Sequence, residues 1–253
     1  MKVLDLFSGI GGFSLGLERA GMETVAFCEV CPDAQNVLRK HWPGTPIFND
    51  VRLLNATTIR SAGIERVDVI AGGFPCQDIS VAGKLAGIEG ERSGLWEEYA
   101  RIIDELKPEF AIIENVANLR SSGLATVIKD LWEIGYDAEW HIIPASAVGL
   151  PHQRERLWII AYPCGAELQR PILRREAASF SATPEKPLFD SCWVSEWLKS
   201  WIRSDINGKG NGVSRGLASN AIKQYGNAVT PLIPEAIGNA ILELEAVGSR
   251  TNP

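Results

Sequence analysis

Short apolar runs alternate with segments of helical period over the first two thirds of the chain. Residues 67–71 are apolar enough to form a buried strand, whereas residues 95–106 place six large apolar side chains on one helical face. The predicted strands cover residues 2–7, 24–28, 67–71, 110–113 and 157–161. The predicted helices cover residues 13–20, 32–42, 95–106, 123–134 and 231–247. This alternation predicts an α/β fold with a parallel, doubly wound sheet.

The periodic pattern ends after Tyr162. The next fifty or so residues are rich in Pro, Ser, Gly and Trp and show little period, so we expect a main domain, a small region and a return segment. The predicted divisions are residues 1–162, 163–213 and 214–253. Three tryptophans spaced four residues apart would share one helical face, namely Trp193, Trp197 and Trp201. That face is either the core of a small lobe or an aromatic stripe that meets a partner.

Composition indicates a globular protein. The chain has 253 residues, 45% of them hydrophobic, with apolar runs too short to span a membrane. The acid Asp5 interrupts the N-terminus where a signal peptide would stay apolar, so we expect a cytoplasmic protein. Five cysteines argue against a disulfide framework. The pair Cys28 and Cys31 lacks further zinc ligands in the pattern, so we expect thiols and no metal.

The charge distribution leaves room for a polyanionic partner. The net charge of −6 argues weakly against nucleic acid. Residues 163–216, however, carry eight Lys or Arg against six Asp or Glu, and the rest of the chain carries 17 against 25. A locally basic segment on an acidic body is compatible with a contact to nucleic acid there.

A glycine-rich loop follows the first predicted strand. Residues 5–12, Asp-Leu-Phe-Ser-Gly-Ile-Gly-Gly, would let a cofactor approach the backbone, although Ser14 replaces the third glycine of the dinucleotide fingerprint. Glu29 ends the second strand about 20 residues on, where a carboxylate can bind both hydroxyls of a ribose. Asp50 ends the next short strand and could accept from an adenine amino group, and Phe7 could stack on the adenine. The alternative is a tight turn with two helix-capping acids.

Cys76 lies in the segment Gly-Gly-Phe-Pro-Cys-Gln, residues 72–77, just past a predicted buried strand. A cysteine between proline and glutamine at a strand end is poorly placed for core packing and well placed as a nucleophile over a cleft. Glu114 directly follows the strand 110–113 and would face the same crevice. Partial desolvation would raise its pKa and favour proton donation. The alternative is a helix N-cap acid.

Two arginines precede the last predicted strand. Arg154 and Arg156 alternate, so on an extended segment they share one face. Such a pair could bind a base carbonyl or a phosphate and hold a nearby thiolate. The alternative is two surface arginines at a strand edge.

Together these segments resemble the DNA (cytosine-5)-methyltransferase family. The matching blocks are residues 5–12, Glu29, Asp50, residues 73–77, 95–96, 114–116, 151–156 and 226–231. They extend over nearly the whole chain except about residues 163–213. Two features depart from the family pattern: His152 stands where the family usually has Gln, and the region available for target recognition is short.

The resemblance implies a Rossmann-like S-adenosylmethionine-dependent methyltransferase sheet with a small target-recognition lobe. It implies a monomer that acts on duplex DNA in a bacterial or phage-infected cell. The cofactor site would comprise Phe7, Gly9, Ile10, Gly11, Gly12, Glu29, Asp50, Pro75 and Leu95, closed by Asn227 and Ala228. Cys76 would be the nucleophile, Glu114 would contact N3 and the amino group of the cytosine, and Arg156 would contact O2. Arg154 would support Cys76 and its loop.

Three other functions stay open on the sequence. A tRNA cytosine-5 methyltransferase would share the same core. A non-catalytic DNA-binding relative would keep the fold, although intact motif blocks argue against it. A nicotinamide oxidoreductase is disfavoured by the missing third glycine and by Cys76.

Overall fold

The structure is a computed structural model that describes residues 1–75, 94–165 and 228–248. The strands are β1 (Lys2–Leu6), β2 (Glu23–Cys28), β3 (Ile47–Phe48), β4 (Val69–Gly73), β5 (Phe110–Val116), β6 (Tyr136–Pro144) and β7 (Glu155–Pro163). The helices are α1 (Gly12–Arg19), α2 (Pro32–His41), α3 (Ala56–Ser61), α4 (Gly94–Leu106), α5 (Leu119–Ser122), α6 (Leu124–Glu133) and α7 (Leu232–Gly248). Short 3-10 turns occupy Val51–Leu53 and Ala145–Val148. The α/β class predicted from the sequence is confirmed.

The described strands form one seven-stranded sheet in the order β3-β2-β1-β4-β5-β7-β6. Strands β3, β2, β1, β4 and β5 pair in parallel, as predicted. Strand β1 lies between β2 and β4, so the strand order reverses on either side of it. In open α/β sheets, ligands bind outside the carboxyl ends of the strands at such a switch point. The loops after β1 and β4 are therefore the expected walls of a binding crevice.

The prediction of an entirely parallel sheet was wrong for the last strand. β7 runs antiparallel to both β5 and β6, so the sheet is mixed. The cause is the short connection over residues 145–154, since a parallel return requires a longer crossover. The sequence pattern did not predict β6, because only Tyr136 and Ile143 of its nine residues are buried. An edge strand of this kind lacks the continuous apolar run that revealed the central strands.

Helices cover both faces of the sheet. Neighbouring residues of β5 point to opposite layers: Ile113 joins one buried core and Ile112 the other. The first core contains the apolar faces of α4 and α6, with Trp96, Tyr99, Ile102, Ile103, Val127 and Leu131. The second contains α1 and α7, with Phe13, Leu17, Ile233 and Ile237. Four of the six apolar side chains predicted to share a face of α4 are buried and the other two are partly buried, which confirms that face.

Glycines allow α7 to pack closely on α1. A Cβ at Gly16 would lie 2.2 Å from the carbonyl oxygen of Pro231, and a Cβ at Gly238 would lie 2.8 Å from the Cβ of Ala20. Only glycine permits such approaches without displacing backbone. The contact brings the far end of the chain back to the first helix, and with it the segment 228–231 to the carboxyl end of β1.

Candidate functional site

The glycine-rich loop after β1 lies against a buried carboxylate. Glu29 follows β2, and its two oxygens accept hydrogen bonds from the backbone N–H of Gly9 and of Cys31, each at 2.7 Å. Gly9 and Gly11 adopt left-handed conformations, with φ of 54° and 85°, that favour glycine. Among the described residues, a Cβ at Gly9 would meet no atom within 4 Å, so these residues leave open space beside the loop. The predicted neighbourhood of the loop and Glu29 is thus present.

Other members of the predicted cofactor set surround this loop. Ile10 is half-buried within it, and Gly12 begins α1. The ring of Phe7 stacks on that of Tyr99 from α4, with centroids 6.2 Å apart, and Leu95 of the same helix packs against the same core. Phe7, two residues before Gly9, and Leu95 therefore pack on the same apolar core.

Asp50 makes local contacts that differ from its predicted contact with an adenine. Its carboxylate caps the 3-10 turn after β3 by accepting from the backbone N–H of Arg52 at 3.0 Å. It also pairs with the Arg52 guanidinium at 2.7 Å, which holds the pKa of Asp50 below its usual value. The alternative of a capping acid thus describes what Asp50 does in this structure. Its contact with an adenine stays a prediction.

Asp5 is a buried acid beneath the loop whose role sequence reasoning missed. One of its oxygens accepts from the hydroxyl of Ser14 at 2.7 Å and from the Ser14 backbone N–H at 3.3 Å. Burial raises the pKa of Asp5 to about 7 despite these hydrogen bonds. Ser14, at the position of the absent third glycine, therefore donates both of its hydrogen bonds to one oxygen of Asp5, while the other oxygen, Oδ1, is buried without a hydrogen-bond partner among the described residues. An acid inside an apolar strand, with a serine in the next helix, was the available signal.

Glu114 lies inside β5 rather than after it, because the strand continues to Val116. It pairs in register with Gly73 on β4 and with Trp158 on β7. A Cβ at Gly73 would lie 2.6 Å from Oε2 of Glu114, so the glycine leaves room for the carboxylate. The predicted position just after a strand was wrong. Glu114 lies beside Gly73 at the end of β4, and the prediction that it faces the same crevice as Cys76 stays a prediction.

An arginine reaches Glu114 from the antiparallel strand. Nε of Arg156 lies 2.8 Å from Oε1 of Glu114, whose side chain is only 12% exposed. Burial raises the pKa of Glu114 above its ordinary value, and the charges of Arg156 and Arg154 oppose that rise. The raised pKa predicted from the sequence is confirmed. The pair can present both a carboxyl group and an N–H donor to a ligand at this edge of the sheet.

Arg154, just before β7, contacts the far end of the chain. Its Nη2 donates to the carbonyl oxygen of Ala228 at 3.1 Å. Burial, together with the neighbouring charge of Arg156, lowers the pKa of Arg154. A small cavity lies behind these groups and is lined by Glu114, Ala145, Arg154, Arg156, Trp158, Val229, Thr230 and Ile233. The two predicted arginines therefore meet different partners.

Asn115 orders the segment that leads to Cys76. This buried amide donates from Nδ2 to the carbonyl oxygen of Phe74 at 3.1 Å. Pro75 follows directly and is the last described residue before Cys76. Cys76 and Asn227, both predicted site residues, lie outside the described residues. Sequence reasoning gave Asn115 no role, although a buried amide within an apolar strand was a usable signal.

No helix in the described ranges is long and apolar enough to cross a membrane. Within those same ranges, no three His, Cys, Asp or Glu side chains converge as metal ligands.

Comparisons with known proteins show which sequences the chain resembles. Type II methyltransferase M2.BsuMI of Bacillus subtilis is 38% identical over 169 residues, which are 64% of this chain and 42% of that protein. M.CviJI of Paramecium bursaria Chlorella virus IL3A is 36% identical over 188 residues, 74% of this chain and 50% of that protein. The chain thus spans about half the length of these curated relatives.

A solved structure and a family model point the same way. The structure of DNMT2 from Spodoptera frugiperda is 26% identical, covers 66% of this chain and 51% of that chain, and superimposes with a TM-score of 0.54. Residues 1–195 match the sequence model described as C-5 cytosine-specific DNA methylase. Since that match covers well over half of the sequence, the chain belongs to the C-5 cytosine-specific DNA methylase family.

Proposed function

We propose that this protein transfers a methyl group from S-adenosylmethionine to C5 of a cytosine flipped out of duplex DNA. The observation that carries the proposal is the buried Glu114–Arg156 pair, which borders the end of β4 where the chain leads to Cys76. A carboxyl group of raised pKa beside a guanidinium provides a donor for the ring nitrogen and a donor for the carbonyl of a pyrimidine.

The loop after β1 fits the cofactor. The space that the described residues leave at Gly9 admits a ligand close to the backbone, and the apolar side chains of Phe7 and Leu95 suit an adenine ring. Glu29 uses one hydrogen bond at each carboxylate oxygen, which leaves further lone pairs for ribose hydroxyls. Ala228 reaches the same region from the far end of the chain. The bound cofactor supplies a methyl group on a positively charged sulfur.

The reaction requires activation of the cytosine, because C5 is a poor nucleophile. The thiolate of Cys76 adds to C6, and Glu114 gives its proton to N3, so that the ring becomes an enamine. S-adenosylmethionine, held by the loop after β1 and by Glu29, would supply the methyl group to C5, and its sulfur would keep the electron pair of the broken bond. Loss of the C5 proton to solvent expels the Cys76 thiolate, and N3 returns its proton to Glu114.

Two features of the site lower the cost of these steps. A free thiol is only a few per cent ionised at neutral pH, so a cationic neighbour such as Arg154 favours the thiolate. Arg156 would hold O2 of the base while it stays bonded to Glu114, fixing the carboxyl group opposite N3. Extruding the base costs a few kcal/mol, which contacts in this pocket offset.

The proposal is tested with labelled cofactor and a cytosine-containing duplex. Wild-type protein is expected to label the DNA, whereas Cys76→Ala abolishes labelling and still binds S-adenosylmethionine by calorimetry. A duplex with 5-fluorocytosine is expected to trap a covalent complex with the wild type and none with Cys76→Ala, because fluorine at C5 blocks the final elimination. Full transfer by Cys76→Ala overturns the mechanism, and labelling of tRNA in preference to duplex DNA overturns the substrate.

A further inference from the structure

The segment Ala228–Pro231 connects the two halves of the site. At one end its Ala228 carbonyl oxygen accepts from Arg154 at 3.1 Å. In its middle, the carbonyl oxygen of Val229 lies so close to Gly12 that a Cβ there would approach it to 2.5 Å. The catalytic side and the glycine-rich loop are therefore joined through this short stretch of backbone.

The other end of the segment is anchored by helix packing. The Pro231 carbonyl oxygen lies against Gly16 and accepts from the N–H of Glu235 at 3.0 Å, which begins the hydrogen bonding of α7. Gly12 and Gly16 hold the segment only by close contact, whereas Arg154 holds it through a charge-assisted hydrogen bond. Among these contacts, the one to Arg154 is both directional and distant in sequence, since the partners are 74 positions apart.

We propose that Arg154 is a positioning residue for the cofactor as well as a neighbour of the base pocket. By fixing the Ala228 carbonyl, it seats the segment against Gly12 and so closes the space beside the glycine-rich loop. The inference rests on the proposed function, which assigns that loop to S-adenosylmethionine. It separates the two arginines: Arg156 serves the cytosine through Glu114, and Arg154 also serves the methyl donor.

Calorimetry without DNA tests this separation. Arg154→Ala is expected to raise the dissociation constant for S-adenosylmethionine about tenfold or more, while the matched variant Arg156→Ala stays within about twofold of wild type. In steady state, Arg154→Lys is expected to raise KM for the cofactor by a larger factor than it lowers kcat, because a lysine keeps the charge and loses the planar fork. Equal effects of the two alanine variants on cofactor affinity overturn the inference.

Hydrogen exchange followed by mass spectrometry gives a second readout that does not depend on catalysis. Peptides containing residues 228–231 are expected to exchange faster in Arg154→Ala than in wild type or Arg156→Ala, while peptides from β4 exchange at the wild-type rate. Unchanged exchange at 228–231 overturns the inference. If Arg154→Ala binds the cofactor like wild type and wild type still methylates DNA, only this inference fails; wild type that binds no cofactor overturns the proposed function and the inference together.

Discussion

Two glutamates at the carboxyl edge of the sheet show how one residue type is given two tasks. Glu29, after β2, accepts from the backbone N–H groups of Gly9 and Cys31, both within 20 residues of it. Glu114, in β5, meets the guanidinium of Arg156 from an antiparallel strand, and burial raises its pKa. The carboxylate of Glu29 accepts hydrogen bonds from backbone N–H groups close to it in sequence. The carboxylate of Glu114 is held across strands, in surroundings that favour its protonated, donating form.

Among the substitutions that test the roles of the two glutamates, Glu114→Gln should have the largest effect. The amide keeps the shape of the side chain and cannot give a proton to N3, so we expect the rate of methyl transfer to fall by about 10²–10⁴-fold. Rapid-quench single turnovers with saturating DNA and cofactor measure that rate. Cofactor affinity should stay at the wild-type level, and a large loss of cofactor affinity in this variant would break the division between the two glutamates.

Gly73→Ala tests the room made for Glu114. The added Cβ would lie 2.6 Å from Oε2, so the carboxylate must move away from its place beside Arg156. We expect a loss of about tenfold to a hundredfold in the same single-turnover rate, since small displacements of a catalytic group are costly. Gly94→Ala is the matched control, because a Cβ there meets no atom of the described part of the chain within 4 Å. Equal rates for the two variants would contradict the prediction.

Glu29→Gln tests the glutamate that is bound by the glycine-rich loop. The NH₂ group of the amide would point toward the backbone N–H of either Gly9 or Cys31. Two donors that face each other repel, so the loop would be disturbed. We expect the dissociation constant for S-adenosylmethionine to rise about tenfold. With cofactor saturating, the single-turnover rate should stay close to wild type. A variant that binds the cofactor normally but transfers slowly would reverse the roles assigned to Glu29 and Glu114.

The same contrast explains what the sequence could predict. The loop, Glu29 and the first helices are local, so spacing along the chain was sufficient to place them together. The catalytic half depends on pairing between distant segments. The direction of β7 follows from a short connection, and the weakly apolar sequence of β6 follows from its position at the edge of the sheet. The hydrophobic periodicity of the sequence indicates neither. Asn115 and Phe74 are likewise 41 residues apart. The predicted recognition region, residues 163–213, lies outside the described residues except for residues 163–165, and it stays a prediction.

Ser14→Ala has the smallest expected effect and tests the hydrogen bond to Asp5, the buried acid beneath the glycine-rich loop. Asp5 has a folded-state pKa of about 7, raised from 3.8. The folded protein is therefore most stable when Asp5 is protonated, and it loses stability as the pH rises from about 4 to 7. The Ser14 hydroxyl opposes that loss, since its hydrogen bond favours the ionised form. Removing it raises the pKa of Asp5 further and extends the loss to higher pH.

The cost of Ser14→Ala should therefore depend on pH. Near pH 6, where Asp5 is largely protonated, we expect the free energy of unfolding to fall by about 1 kcal/mol, as for a neutral hydrogen bond. Near pH 8.5, the fall should reach about 2 kcal/mol, because the hydrogen bond then serves a buried charge. Urea denaturation at both pH values measures the difference. Ser121→Ala, which removes an exposed hydroxyl bonded to the Asn118 carbonyl, should cost little and equally at both; a pH-independent cost for Ser14→Ala would place the titrating acid elsewhere.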